Sequence, residues 1–542
     1  MRAWPATLGL LLLEPAFPQS AIEEVRQSTI RSQNGPGCPC KCDVPEPALR
    51  GTERPVFAMG EAARARLETS ARGALHCVSA RALRERSVRV VVIGGSATAG
   101  AKCATGCNWV AQLESVLRSA PPLHGVNVSF VNYAVPGSCI SYAAVNFDAL
   151  VRSERPDLVL IETAMNDQAM LRYRGYAGKH QGTALADPLL MVQALVRMAR
   201  CPEGHERPPA LLFVEFEPWR NAPGCDFDNV AACEAAGSTI CLGVPQCARL
   251  DSQRRQQCPV ALPCHEALGT VHWPALQRYS LPYVAPLDAL CDARVVMPPA
   301  ESKALHALGS AMRCDTHFDC AAHQVVAAVL AELWLGAVDH EHGHMHRHDH
   351  EHRACNATAL GRLPASECRS IAAGGSSALR CKPSAKLVPH PGRPTLAPGV
   401  APGWREEEDV RGKPGWVYER GRADGAAALL ALELPGGTPG RTVLLEFLAT
   451  YERIGAARAW IGPAADSMAG SAPVRLEGLW AEKVSLGQFE TITAPAPRHA
   501  EHRHEQRVFL FVQPEPEAPK FKLISVTVCA DWKLAEMDTS GG

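Results

Sequence analysis

Ser96 stands in the stretch RVVVIGGSATAG, residues 89–100, where an apolar run ends in two glycines, a serine and small residues. A hydroxyl set just past a buried strand, with no bulk around it, is placed as a nucleophile would be. The competing reading is an ordinary strand-to-helix turn. Three further blocks bear on the choice. NYAVPG puts Gly137 in a loop, ETAMND puts Asn166 and Asp167 in another, and CDTHFDCAAH puts His317 beside Asp315. An alcohol, a glycine, an amide and an imidazole thus recur at segment ends along the chain. Two other motifs are excluded. No Gly-Lys-Ser/Thr follows the glycine pair, so this is no phosphate loop. Thr98 stands where a Gly-x-Ser-x-Gly elbow needs its last glycine.

For these blocks to converge, each must adjoin an element that ends at one common edge. VRVVVI (88–93), VNVSFVNYAV (126–135), PDLVLIET (156–163) and PALLFVEF (209–216) read as strands. The third is almost wholly apolar, as a strand covered on both faces should be. NWVAQLESVLRS (108–119) reads as a helix with Trp109, Leu113, Val116 and Leu117 on one side. ADPLLMVQALVRMAR (186–200) is a second, with Asp187 as N-cap and Pro188 at its first position. AAHQVVAAVLAELWLGAV (321–338) is a third. The alternation predicts a parallel sheet with helices on both faces. Ligands of such sheets bind beyond the carboxyl ends of the strands.

Other segments break this rhythm. Residues 22–75 read as an N-terminal extension that turns helical near 58–75. Residues 217–300 hold seven cysteines and little periodicity, and are expected as a disulfide-stapled insertion on one edge of a domain over 76–338. DHEHGHMHRHDHEHR (339–353) carries seven histidines and opens a linker over 339–380. That tract is read as solvated chain, with weak zinc or copper binding as the alternative. From Cys381, short apolar runs such as GWVYE, TVLLEFLATY, ARAWIG and KLISVTVCADW alternate with Gly- and Pro-rich turns. They predict an all-β sandwich over 381–535. Cys381 and Cys529 bracket it, and joining them would close it.

The chain has 542 residues, more than one ordinary core needs. A net charge of −1 gives no footprint for nucleic acid or an anionic membrane as partner. The 21 cysteines include ten between Cys201 and Cys320, at irregular spacings and without paired CxxC knuckles. That favours disulfides over zinc, and so an oxidising compartment. Arg2, the run ATLGLLLL and small residues towards Ser20 and Ala21 read as a short secretory signal over 1–21. No later apolar stretch is long enough to span a bilayer. The sequons at Asn127 and Asn356 fit a secreted glycoprotein.

GGSATAG, NYAVPG, AMND and DTHFDCAAH, in that order, resemble the four blocks of the GDSL-type SGNH hydrolases, over about 88–338. The resemblance implies a flavodoxin-like, three-layer α/β fold and a serine esterase that needs no cofactor and no metal. It implies Ser96 as nucleophile and His317 as general base, then acid. It implies an oxyanion hole made by the N–H groups of Ser96 and Gly137 and the side-chain amide of Asn166. Asp315 would orient His317. The chain departs from the pattern in four places. Gly95 stands for Asp, Ala164 for Gly, Cys314 for the Asp three residues before His317, and Phe318 for Pro. A triad through Asp315, a Ser–His dyad and an inactive fold that only binds therefore all stay open.

The segments GWREEEDVRGKPGWVYE and LLEFLATYERIGAARAW resemble a β-domain found beside SGNH domains in algal extracellular proteins. Trp404, Trp416, Tyr418 and Tyr451 either face sugar rings there or form core. The expectation is a secreted carboxylic ester hydrolase that deacetylates a polysaccharide or glycan. The alternative is an inactive glycan-binding protein of the same fold. The expected partner is an acylated glycan or a small ester.

Overall fold

A computed structural model describes residues 61–100, 106–168, 170, 188–200, 208–216, 270–286, 320–345, 381–383, 395–396, 403–410, 413–421, 428–434, 442–463, 471–480, 485–494 and 508–529. Five parallel strands form the first sheet: β1 (Ser87–Gly94), β2 (Asn127–Asn132), β3 (Leu158–Glu162), β4 (Ala210–Val214) and β5 (Tyr283–Val284), in the order β2-β1-β3-β4-β5. Side chains alternate across the sheet, and both faces are buried. Val88, Val90, Val92, Leu158, Leu160, Leu212 and Val214 meet helices α1 (Glu61–Glu85), α3 (Trp109–Ser119) and α7 (Cys320–Met345) on one side. Val91, Ile93, Val159, Ile161, Leu211 and Phe213 meet α4 (Ile140–Glu154), α5 (Pro188–Arg200) and α6 (Trp273–Arg278) on the other. The three layers expected from the strand–helix rhythm are therefore present. Between them, the short α2 (Ser96–Ala99) follows β1.

Local chemistry sets the boundaries. Asn108 caps α3 by accepting the Ala111 N–H at 2.9 Å, and α5 begins at Pro188, whose missing N–H would be unpaired there anyway. Four elements depart from the expected segments. α1 runs through residue 75, and its Leu67, Ala71 and Ala74 lie in the same core as the sheet. β5 and α6 fall within 217–300, so part of the expected insertion belongs to the sheet itself. Two residues, Tyr283 and Val284, are too few to show a strand pattern. α7 continues to Met345, into the histidine-rich tract, because it lies along α1.

The C-terminal module is two antiparallel sheets. One holds β13 (Val474–Glu477), β12 (Ala456–Gly462), β15 (Phe509–Pro514), β10 (Leu430–Glu433) and β7 (Thr395–Leu396), in that order. The other holds β14 (Leu486–Thr493), β11 (Thr442–Ala449), β16 (Lys520–Cys529), β9 (Lys413–Glu419) and β8 (Trp404–Val410), with β6 (Cys381–Pro383) paired to β16. Residues from both sheets, including Leu432, Val443, Leu445, Ile461, Leu510 and Val526, share one core. Of the four aromatic residues for which sugar contact and core were both open, Trp404, Trp416 and Tyr418 are buried in that core. Tyr451 is 43% exposed. Among the described residues, no helix is long and apolar enough to cross a membrane.

Leu160, 1% exposed, packs in the face shared by β3 and α7. Leu160→Ala is expected to lower the unfolding free energy by about 2–5 kcal/mol. Leu479→Ala, at a 48% exposed position, should change it by less than about 0.5 kcal/mol. Urea denaturation followed by circular dichroism checks both.

Candidate active site

Ser96 opens α2 directly after β1, with Gly95 as the capping residue, and is half-buried. The Gly95 N–H donates to the Glu162 carbonyl at 3.0 Å, fixing the turn to the end of β3. The next residues along from β3 form a helical turn, 164–168, that carries Asn166. The Asn166 amide Nδ2 donates to the Ser138 carbonyl at 2.8 Å. Ser138 in turn donates its hydroxyl to the Gly94 carbonyl at 2.8 Å. A Cβ built on Gly95 would run into Asn166 Nδ2. A residue with a Cβ at this position would therefore require the Asn166 amide to shift. An amide nitrogen has two donors, and only one of them is taken by Ser138.

Gly137 lies in the loop after β2 with φ +80°, a conformation that residues with a Cβ rarely adopt. Its carbonyl accepts the N–H of Gly487, at the start of β14, at 3.1 Å. Ser96, Gly137 and Asn166 therefore gather at one edge of the sheet. His317 and Asp315 lie outside the described residues. His323, one turn into α7, is buried, and its Nδ1 accepts the Trp109 N–H at 3.3 Å.

Beneath the serine turn lies a carboxyl group that the motif blocks do not contain. Glu162, at the last position of β3, is 2% exposed. It accepts from Thr98 Oγ1 at 2.7 Å and from the Gly95 N–H at 3.3 Å. Trp109 Nε1 donates to the same Thr98 oxygen at 3.2 Å. Burial pushes the Glu162 pKa up to about 8, against those hydrogen bonds and with a contribution from the charge of Glu215.

A second buried group lies behind Asn166. His272, just before α6, has no exposed surface. Its Nε2 meets Asp167 Oδ2 at 3.0 Å and its Nδ1 meets Glu215 Oε1 at 2.9 Å. With a carboxylate on each nitrogen the ring is an imidazolium. Burial opposes that charge, but the charge of Glu215 and the hydrogen bonds to Asp167 and Glu215 outweigh it, holding the pKa at about 10. So clamped, His272 has no lone pair with which to accept a proton from a substrate. Asp167 also accepts the Ile140 N–H, at 2.9 and 3.1 Å to its two oxygens. One carboxylate thus joins the Asn166 turn, the segment after Gly137, and His272. The motif blocks gave Asp167 no role, and His272 fell in a segment read as an insertion. The available signal was a lone acid closing an apolar strand, as Glu162 and Glu215 do after LVLI and ALLFV.

The β module closes the site from one side. Cys139 and Met170, which flank Gly137 and Asn166 in sequence, pack with Ala449, Trp480 and Leu486. Leu444, Phe489 and Cys529 join the core under α4. Tyr451 and Leu479 are exposed beside this joint, where the Trp480 N–H donates to the Thr450 carbonyl at 3.2 Å.

A group whose folded pKa is raised binds its proton more tightly when folded, so its contribution is full below the unfolded pKa and is lost as pH rises through the folded one. The window runs from 4.5 to about 8 for Glu162 and from 6.5 to about 10 for His272. Glu162→Gln should flatten the fall in stability across the first window, read from urea midpoints against pH. His272→Gln should flatten the second, and at pH 6 should lower stability by about 3–5 kcal/mol, because it leaves two buried carboxylates without their cation.

No family model and no curated protein matches the chain. Solved structures do align with it. A two-domain esterase (CEX) active on acetylated mannans aligns over 85% of this chain and 97% of its own, at 14% identity and a TM-score of 0.45. TesA aligns over 46% of this chain and 99% of its own, at 16% identity and a TM-score of 0.26. Axe2, an acetylxylan esterase from Geobacillus stearothermophilus, aligns over 46% of this chain and 94% of its own, at 15% identity and a TM-score of 0.27.

Proposed function

We propose that the chain is a serine esterase that removes acyl groups, acetyl among them, from a glycan. One observation carries the reading: the Asn166 amide and the Gly137 loop are packed against the Ser96 turn, at the carboxyl edge of a parallel sheet. Ser96 Oγ attacks the ester carbonyl, and His317 takes the hydroxyl proton. The negative charge that develops on the carbonyl oxygen is met by the N–H groups of Ser96 and Gly137 and by the second amide hydrogen of Asn166. The carbon–alkoxide bond breaks, the alcohol leaves with the proton from His317, and water then releases the acid from the acyl-serine by the same steps. Asp315 supports His317 in this reading.

The glycan part is supported by Tyr451 and Leu479, exposed on the β module next to the contact with Cys139 and Met170. An aromatic face of this kind stacks on sugar rings. Passage through a secretory pathway is supported by the signal-like start of the chain and by its 21 irregularly spaced cysteines. The exposed position of Asn127, at the start of β2, is compatible with its sequon.

Hydrolysis of p-nitrophenyl acetate tests the reading. Ser96→Ala and His317→Ala should each lose about 10⁴-fold or more in kcat. Asn166→Ala should lose about 10²- to 10³-fold, the usual effect of removing one oxyanion donor. Retained binding of an acetylated glycan, without turnover and without labelling by a fluorophosphonate, would instead identify an inactive binding protein.

A further inference from the structure

The first and last helices of the α/β module carry a second cluster that the esterase chemistry does not use. His76 lies on α1, and His340 and Glu341 lie near the end of α7. His76 Nδ1 is 3.1 Å from Glu341 Oε1, and His340 Nδ1 is 3.7 Å from the same oxygen. The two imidazole rings meet edge to face, with centroids 4.5 Å apart. One ligand atom from each of the three residues lies within 4.8 Å of the other two. We propose that this juxtaposition of His76, His340 and Glu341 is a binding site for a divalent transition metal, zinc by preference, that ties α7 to α1.

The donor set and spacing select the ion. Two imidazoles and a carboxylate suit zinc, nickel or copper rather than magnesium or calcium, which take oxygen ligands. Metal–ligand bonds of about 2.0–2.2 Å put the ligands of a tetrahedral ion roughly 3.3–3.6 Å apart, so modest side-chain rotation closes the site. His76 and Glu341 are about four-fifths buried on their own helices, and His340 stands at the rim with 45% of its side chain exposed. The entry side is therefore open to solvent. The site draws its ligands from two helices, α1 and α7, and so is distinct from general metal adhesion to a histidine-rich segment.

The test uses the full chain without an affinity tag, stripped with EDTA and titrated with zinc chloride, next to a version lacking residues 346–353. Isothermal titration and metal content after gel filtration report affinity and stoichiometry. The expected result is one zinc per chain that survives the deletion, with a melting temperature raised by zinc in both proteins. In the deletion background, His76→Ala should weaken that event by about tenfold or more and abolish the melting shift. His340→Ala, at an exposed position, should do the same without loss of the fold, which covers an unstable His76 variant. Hydrolysis of p-nitrophenyl acetate should be unchanged in His340→Ala, because His340 lies towards the opposite end of α7 from His323, which meets the Trp109 N–H. Loss of all zinc on the deletion alone, or unaltered binding in both His76→Ala and His340→Ala, would overturn the proposal.

Discussion

A buried imidazolium held between two carboxylates organises the edge on which Ser96 stands. Each of the three ions would be expensive to bury alone, so none is tolerated without the others. His272 supplies the positive charge, Glu215 anchors it to the end of β4, and Asp167 anchors it to the turn after β3. Because Asp167 also holds the Ile140 N–H, the cluster fixes the relative position of the loops that carry Asn166 and Gly137. In the proposed reaction, donors that meet a developing charge are useful only if they are rigid before it begins. Here the rigidity comes from electrostatics in an apolar interior rather than from loop length or sequence.

The parallel sheet supplies the other constraint. All five strands point the same way, so the turns that leave β1, β2 and β3 open on one edge, and the side chains they carry must converge. Glycine at position 95 is what lets Asn166 come close enough to share that edge. Glu162 below it, its pKa raised by burial, completes a layer in which Thr98 and Trp109 brace the serine turn. The β module extends the same logic outward. Gly487 bonds the Gly137 loop directly, and Trp480 and Leu486 cover Cys139. The second module is thus part of the wall of the site and not an appendage on a tether.

Much of this was legible in the residues. Long apolar runs named β1, β3 and β4, because a strand buried on both faces cannot alternate. Asn108 and Pro188 marked the helix starts by their local chemistry. The glycines, Asn166 and Ser96 stood out because small or polar residues directly after such runs have few structural uses. By contrast, β5 is two residues long and carries no pattern of its own; it is a strand only because β4 offers it hydrogen bonds. Trp404, Trp416 and Tyr418 look alike as surface or as core in a short β segment, and only the opposing sheet decides that they are buried.

By itself, then, the amino-acid sequence determined the two-module plan, the strand–helix alternation and the placement of Ser96, Gly137 and Asn166 directly after strands, since these follow from local preference and apolar periodicity. The tertiary structure alone decided that Asp167, Glu215 and His272, separated by as many as 105 positions, form one buried ion cluster, and that His76 meets Glu341 across 265. The reason is physical. Charge pairing and burial depend on distance through space, and distance along the chain does not encode it.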